Sequence, residues 1–139
     1  MKLGEVKADA LKLMGIDNLM NVTWGDIDGL KNHPSYATYL FAMVGAIKRA
    51  LDRFYVKGAI DSPIQTLNDS TAEAADLSDY GVNDVLARMI PKYVVGELYA
   101  MEEPDVAANS RNEFESELEE YLNMQCFQQE TVDVVHPIW

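Results

Sequence analysis

Apolar side chains recur at three- and four-residue intervals over most of this chain, the spacing that gathers them on one face of a helix. The stripe is clearest from Pro34 to Lys57, where Tyr36, Tyr39, Leu40, Met43, Val44, Ile47, Ala50, Leu51 and Phe54 follow one another without a break. Lys48, Arg49, Asp52 and Arg53 fall mainly off it. Pro34 suits a first helical turn, where its missing N–H costs nothing, and Gly58 suits the stop. The pattern predicts one long core helix.

An earlier stripe of Leu3, Val6, Ala10 and Met14 predicts a first helix, with Lys7 and Lys12 available to solvent and Gly15 as a left-handed C-cap. Ile16 to Lys31 is mixed and reads as loop with one helical turn. Helical spacing resumes from Val82 to Met101 through Val85, Met89, Ile90, Val94, Leu98 and Met101, with Asn83 or Asp84 to cap its start. Pro91 removes an N–H and crowds the previous turn, so a kink or a second helix opening at Pro91 is expected. The last helix should start near Pro104, with Asp105 favourable against the helix dipole and Val106, Ser110, Phe114, Leu118 and Leu122 on one line. Glu113, Glu115, Glu117, Glu119 and Glu120 repel one another, so packing must hold this helix rather than its own charges.

Two stretches break the rhythm. Ala59 to Tyr80 lacks helical periodicity and is long for a connection in a compact domain, so it either hides a short hairpin or serves as an arm. After Gln129 the chain turns β-branched, and Thr131 to Trp139 reads as an extended segment. The fold expected is therefore mainly α: a small helical bundle of four to five helices over residues 1–128, with a long central loop, and an extended C-terminal tail over 129–139. Val132, Val134, Val135, Ile138 and Trp139 are the candidate interface residues. They pack back onto their own helices, fill a groove or sheet edge on a neighbour, or stay disordered.

Composition fits this picture without sharpening it. A chain of 139 residues, 48% hydrophobic and 24% charged, suits one globular domain. The longest nearly apolar run, Tyr36 to Ile47, falls short of the roughly 20 residues a membrane helix needs, so no membrane partner is expected. No signal peptide is evident after Met1, and the single Cys126 suits a reducing compartment. Charge is more informative. Residues 1–57 carry eight basic and six acidic side chains and residues 58–139 three and seventeen, which together give the net −12. An acidic half repels phosphate, so sequence-specific nucleic-acid binding is not expected of it. A mildly basic half joined to an acidic one suits copies packing head to tail, although a solvated acidic face would have the same composition.

Candidate chemistry is sparse. His33 and His136 lie far apart and outside any metal-ligand spacing, and Cys126 has glutamates nearby that disfavour its thiolate. Asp26-Ile27-Asp28-Gly29 lacks the closing glutamate of a calcium loop. No phosphate loop or nucleophile elbow is present. No catalytic residue, metal site or cofactor is expected, and the seven methionines suit gap-filling in a helical core.

The stretch Ile90-Pro91-Lys92-Tyr93-Val94-Val95-Gly96-Glu97-Leu98-Tyr99, then Glu102-Glu103-Pro104-Asp105-Val106-Ala107-Ala108 and Arg111-Asn112-Glu113-Phe114-Glu115, resembles head–tail connector (adaptor) proteins of tailed phages and prophages. The Val6-Lys7-Ala8-Asp9-Ala10-Leu11 helix and the tryptophan-ended tail also fit, whereas the central loop is not clearly matched. The resemblance implies a non-enzymatic virion protein at the head–tail junction, assembled in the host cytoplasm. It would self-associate into a ring and bind a portal protein above and a stopper or tail-completion protein below. The alternative is an acidic regulator or DNA mimic that binds a basic partner through its glutamate-rich helix.

Overall fold

The computed structural model describes residues 1–135, with side-chain surroundings over 1–125 apart from Asp17. Among these residues the chain is mainly helical, with five α-helices and no strand. They are α1 (Leu3–Leu13), α2 (Ile27–Leu30), α3 (Ala37–Val56), α4 (Asp84–Leu98) and α5 (Pro104–Val135). Short 3-10 turns at Asp17–Leu19, Trp24–Asp26 and Leu77–Tyr80 mark the connections. The bundle is organised around α4, which packs against α1, α3 and α5.

The stripe read along α3 is its core face: Leu40, Met43, Val44, Ala46, Ile47, Ala50, Leu51 and Phe54 are buried. All of these but Val44 join Val94 and Val95 of α4 and Phe114 and Leu118 of α5 in one apolar cluster, with Tyr39 and Leu98 partly buried against it. The Phe114 ring lies between Phe54, stacked at 5.7 Å, and Tyr93, edge-on at 5.0 Å. Offset and edge-on contacts of this kind add about 0.5–1.5 kcal/mol each beyond area burial. Gly15 and Gly58 end α1 and α3 at φ of +71° and +80°, where any other residue would strain. Asn83 caps α4 by accepting from the Leu86 N–H at 2.9 Å.

Several expectations are corrected. The α4 span is one helix with Pro91 buried inside it, and it stops at Leu98, short of Met101. Val85 and Met101, both expected on its apolar stripe, are exposed. On α5 the buried position is Ala107 rather than Val106, because the core-facing line runs Ala107, Phe114, Leu118. Lys7 faces the interior, not solvent, for a reason given below. The backbone of α5 runs without a break at residue 129 and stays helical to Val135, so the extended conformation expected from Thr131 is not found over 131–135. Helix propagation costs little once a helix is nucleated, which lets it run through β-branched residues that a propensity reading assigns elsewhere.

The segment between α3 and α4 is neither hairpin nor arm. Ile60, Leu67, Leu77 and Val82 are buried in the main core. Its backbone satisfies the start of α1, whose first N–H groups have no partner inside the helix. The Leu3 N–H donates to the Ala75 carbonyl at 2.8 Å and the Gly4 N–H to the Glu73 carbonyl at 2.9 Å. A single bridge pairs Lys2 with Asp76. The Met1 ammonium donates to Asp76 at 3.1 Å and to Asp84 at 2.8 Å, tying α1, this segment and α4 together.

Candidate assembly site

No three His, Cys, Asp or Glu side chains among the described residues gather as a metal-ligand set. His33 stacks on Tyr36 at 4.5 Å and its Nδ1 accepts from the Ser35 N–H, so it serves a surface turn. Asp26 and Asp28 are likewise occupied locally. Asp26 accepts from the Thr23 N–H and hydroxyl, which lowers its pKa, and Asp28 pairs with Lys31 at 3.2 Å. Among the described residues no helix is long and apolar enough to cross a membrane.

Three of the five candidate interface residues fall at the far end of α5. Val132, Val134 and Val135 lie on its helical backbone, with side chains outside the described residues, as Ile138 and Trp139 are altogether. At 32 residues, α5 is about 48 Å long, against about 22 Å for the 15 residues of α4. Asn83, at the start of α4, donates to the Tyr121 hydroxyl at 3.0 Å. The part of α5 beyond Tyr121 therefore continues past the start of the helix it packs on.

The carboxylates of α5 are not one free acidic face. Lys92 pairs with Glu117 and, at 3.4 Å, with Glu113, and these two raise its pKa, Glu117 chiefly. Arg53 holds Glu115 through two parallel hydrogen bonds of 3.0 and 2.9 Å. Arg49 grips Glu97 of α4 in the same forked way, the geometry that favours arginine over lysine. Tyr93 lies beside this pair, and burial, with Glu97 adding, pushes its phenol up to about 12. The cations of α3 and α4 thus fasten the α4–α5 pair, while Glu119 and Glu120 stay exposed.

Against models of protein families, curated proteins and solved structures, the chain matches none. Surfaces must therefore be judged by their own chemistry. Two clefts stand out. One, of about 560 Å³, lies between α1 and the start of α4 and is walled by Glu5, Asp9, Lys12, Trp24, Asp84 and Arg88. Its charges nearly cancel, and Lys2 covers Trp24 at 4.0 Å from the ring centre. The other, of about 470 Å³, runs along the start of α3 and is more apolar, with Leu40, Phe41 and Val44 on one side and Lys7, Lys31 and Asp69 around it.

Beneath the second cleft lies the one buried ionic cluster among the described residues. Lys7 and Glu73 are almost wholly out of water, with Lys7 Nζ 3.0 Å from Glu73 Oε1. Lys31 reaches the same oxygen at 2.5 Å from a partly exposed position, and Glu73, ahead of Asp28, raises its pKa. Glu73 Oε2 has no hydrogen-bond partner in the structure. A buried ammonium is tolerated only when paired, which is why Lys7 can occupy the core-facing side of α1. Sequence reading missed this cluster because its members come from α1, the turn after α2 and the irregular central segment.

Proposed function

We propose that this chain is a non-enzymatic structural protein of a tailed phage or prophage, a connector subunit that assembles into a ring between portal and tail. The observation that carries the reading is the α4–α5 hairpin. The residues that resemble the connector family hold consecutive structural jobs in it: Pro91 and Val94 in the core of α4, Glu102-Glu103-Pro104 at the turn, and Phe114 in the core of α5. Arg111 donates to the Gly96 carbonyl at 3.0 Å and so locks the two helices beside that turn. A motif of this kind specifies a framework rather than a reaction.

In this reading the mechanism is ordered association. Copies meet side by side, the portal protein binds above and a stopper or tail-completion protein below, at the head–tail junction of the virion after assembly in the host cytoplasm. Segments that are ordered by neighbours exchange conformational entropy for interface area. The far end of α5 and the residues after it, with Val132, Val134, Val135, Ile138 and Trp139, are the stretch assigned to such contacts. The fraction of charged surface consumed inside the subunit also favours this reading over an acidic regulator or DNA mimic. Glu113, Glu115 and Glu117 are paired with Lys92 and Arg53, leaving Glu119 and Glu120 as the acids of that run with no ion-pair partner among the described residues.

The test is the assembly state of the full chain, alone and with portal protein, by analytical ultracentrifugation and electron microscopy. Closed rings, free or seated on the portal, are expected. A chain that stays monomeric under both conditions, yet binds a basic protein with steep salt dependence, would establish the regulator instead.

A further inference from the structure

Phe41 and Tyr39 sit two residues apart on α3, about 200° around its axis, and so serve opposite flanks of the same helical turn. On one flank Tyr39 meets Tyr99 edge-on and donates to Glu102 at 2.9 Å, which fixes the α4–α5 turn at this height. That turn carries Met101, whose side chain is 94% exposed, with Glu102, Glu103 and Asp105 around it. None of these three acids has a cationic partner among the described residues. On the other flank Phe41, 78% exposed, forms the rim of the apolar cleft with Leu40 and Val44.

Met101 and Phe41 are the two most exposed large apolar side chains among the described residues. Surface apolar groups this free of contact, one a knob and one a rim, suit a partner that covers both. The charges also differ between the flanks. Glu73 and Asp28 offset Lys7 and Lys31, and Asp69 shares the cleft rim, but Lys48 stands one turn beyond Val44 with no ion-pair partner among the described residues. The knob thus brings acids alone, whereas the cleft flank carries one ammonium, Lys48, and one carboxylate, Asp69, without an ion-pair partner among the described residues.

We infer that a second copy of this chain docks its Met101 turn into the Phe41 cleft, placing Glu102 or Glu103 toward Lys48. The inference rests on the ring reading above and names the surfaces that would build it. A chain cannot fill its own cleft with its own knob, because α3 stands between them. A knob on one flank and a cleft on the other, at one height, make a heterologous contact, which repeats around a ring when the rotation closes.

The experiment uses full chains carrying Met101→Asp or Phe41→Asp, chosen because both side chains are exposed and their thermal unfolding should match that of the unaltered protein. At a concentration where the unaltered protein is assembled, each variant alone should remain monomeric. Mixed one to one, they should form a dimer and stop, since the Phe41→Asp copy keeps a working knob and the Met101→Asp copy a working cleft. Mass photometry reads all three states. Variants that assemble like the unaltered protein would overturn this contact and leave the ring standing. Variants that stay monomeric even when mixed would overturn the pairing of these two surfaces. An unaltered chain that is monomeric at every concentration and on the portal would remove the ring and this contact together.

Discussion

Lys7 and Glu73 form an ion pair whose two side chains keep 1% and 4% of their surface in water. Their roles are unequal. Glu73 neutralises both Lys7 and the more exposed Lys31, whereas Lys7 serves Glu73 alone. Glu73→Ala leaves Lys7 as a buried unpaired charge and should cost about 3–5 kcal/mol. Lys7→Met leaves Glu73 still paired with Lys31 and should cost clearly less. Urea unfolding of both variants decides this, and a larger loss for Lys7→Met would sink the account.

Gly4 gives a prediction whose sign opposes local propensity. Alanine in a helix interior is normally worth about 0.5–1 kcal/mol over glycine. Here a Cβ would lie 2.8 Å from Trp24 Cβ and 3.0 Å from Glu73 Cβ, atoms too near the backbone to swing aside. Gly4→Ala should therefore destabilise, by roughly 1–3 kcal/mol as overpacking does. A raised melting temperature would show that Trp24 and Glu73 yield more easily than their packing implies.

The core face of α3 should behave as an ordinary well-packed interior. Ile47 and Leu51 are fully buried, and replacing either by alanine should cost about 2–5 kcal/mol, read from denaturation midpoints at unchanged slope. Losses under half a kcal/mol for both would overturn the core assignment.

Asp76 sets the expected response to acid. The Ser78 N–H first, then the Ser78 side chain and the Met1 ammonium, lower its pKa from 3.8 to about 2. A carboxylate depressed on folding contributes stability above its ordinary pKa and loses it as the pH falls through the folded value. Part of the acid sensitivity should thus fall between about pH 4 and pH 2, and Asp76→Asn should flatten the stability curve there while lowering it at neutral pH. Parallel curves for the two proteins would exclude the role.

How much of this was legible follows from where each contact lies along the chain. The α3 stripe, the Gly15 and Gly58 stops, the Asn83 cap and the Pro104 start are local signals, and the structure has each of them. The buried state of Lys7 was not legible, because the group that permits it lies 66 residues away in a segment with no periodicity. Met101 follows the α4 spacing, but the helix ends at Leu98, which turns a core residue into an exposed one. Of the candidate interface, Val132, Val134 and Val135 were expected in an extended tail and instead continue α5, since a helix already held by Phe114 and Leu118 extends at little cost.

The tail itself supplies the remaining prediction. A chain ending at Gln129 retains every described core side chain, so its unfolding free energy should stay within about 0.5 kcal/mol of the full chain's, as for surface changes. Ring formation or portal binding should be lost. A deficit of several kcal/mol in the shortened monomer would make the tail part of its own core.

The joining of α1 to its surroundings has a consequence for how the protein is made. Met1 is bonded to side chains 75 and 83 residues downstream, and α1 packs chiefly on α4. Eleven residues are too few for a lone helix to persist in water. During translation α1 must therefore wait, unstructured, for partners synthesised several seconds later at about 5–20 residues per second. Its Leu3, Val6 and Leu11 are open to chaperones throughout that interval, and α1 finds its packing surface only when α4 has emerged.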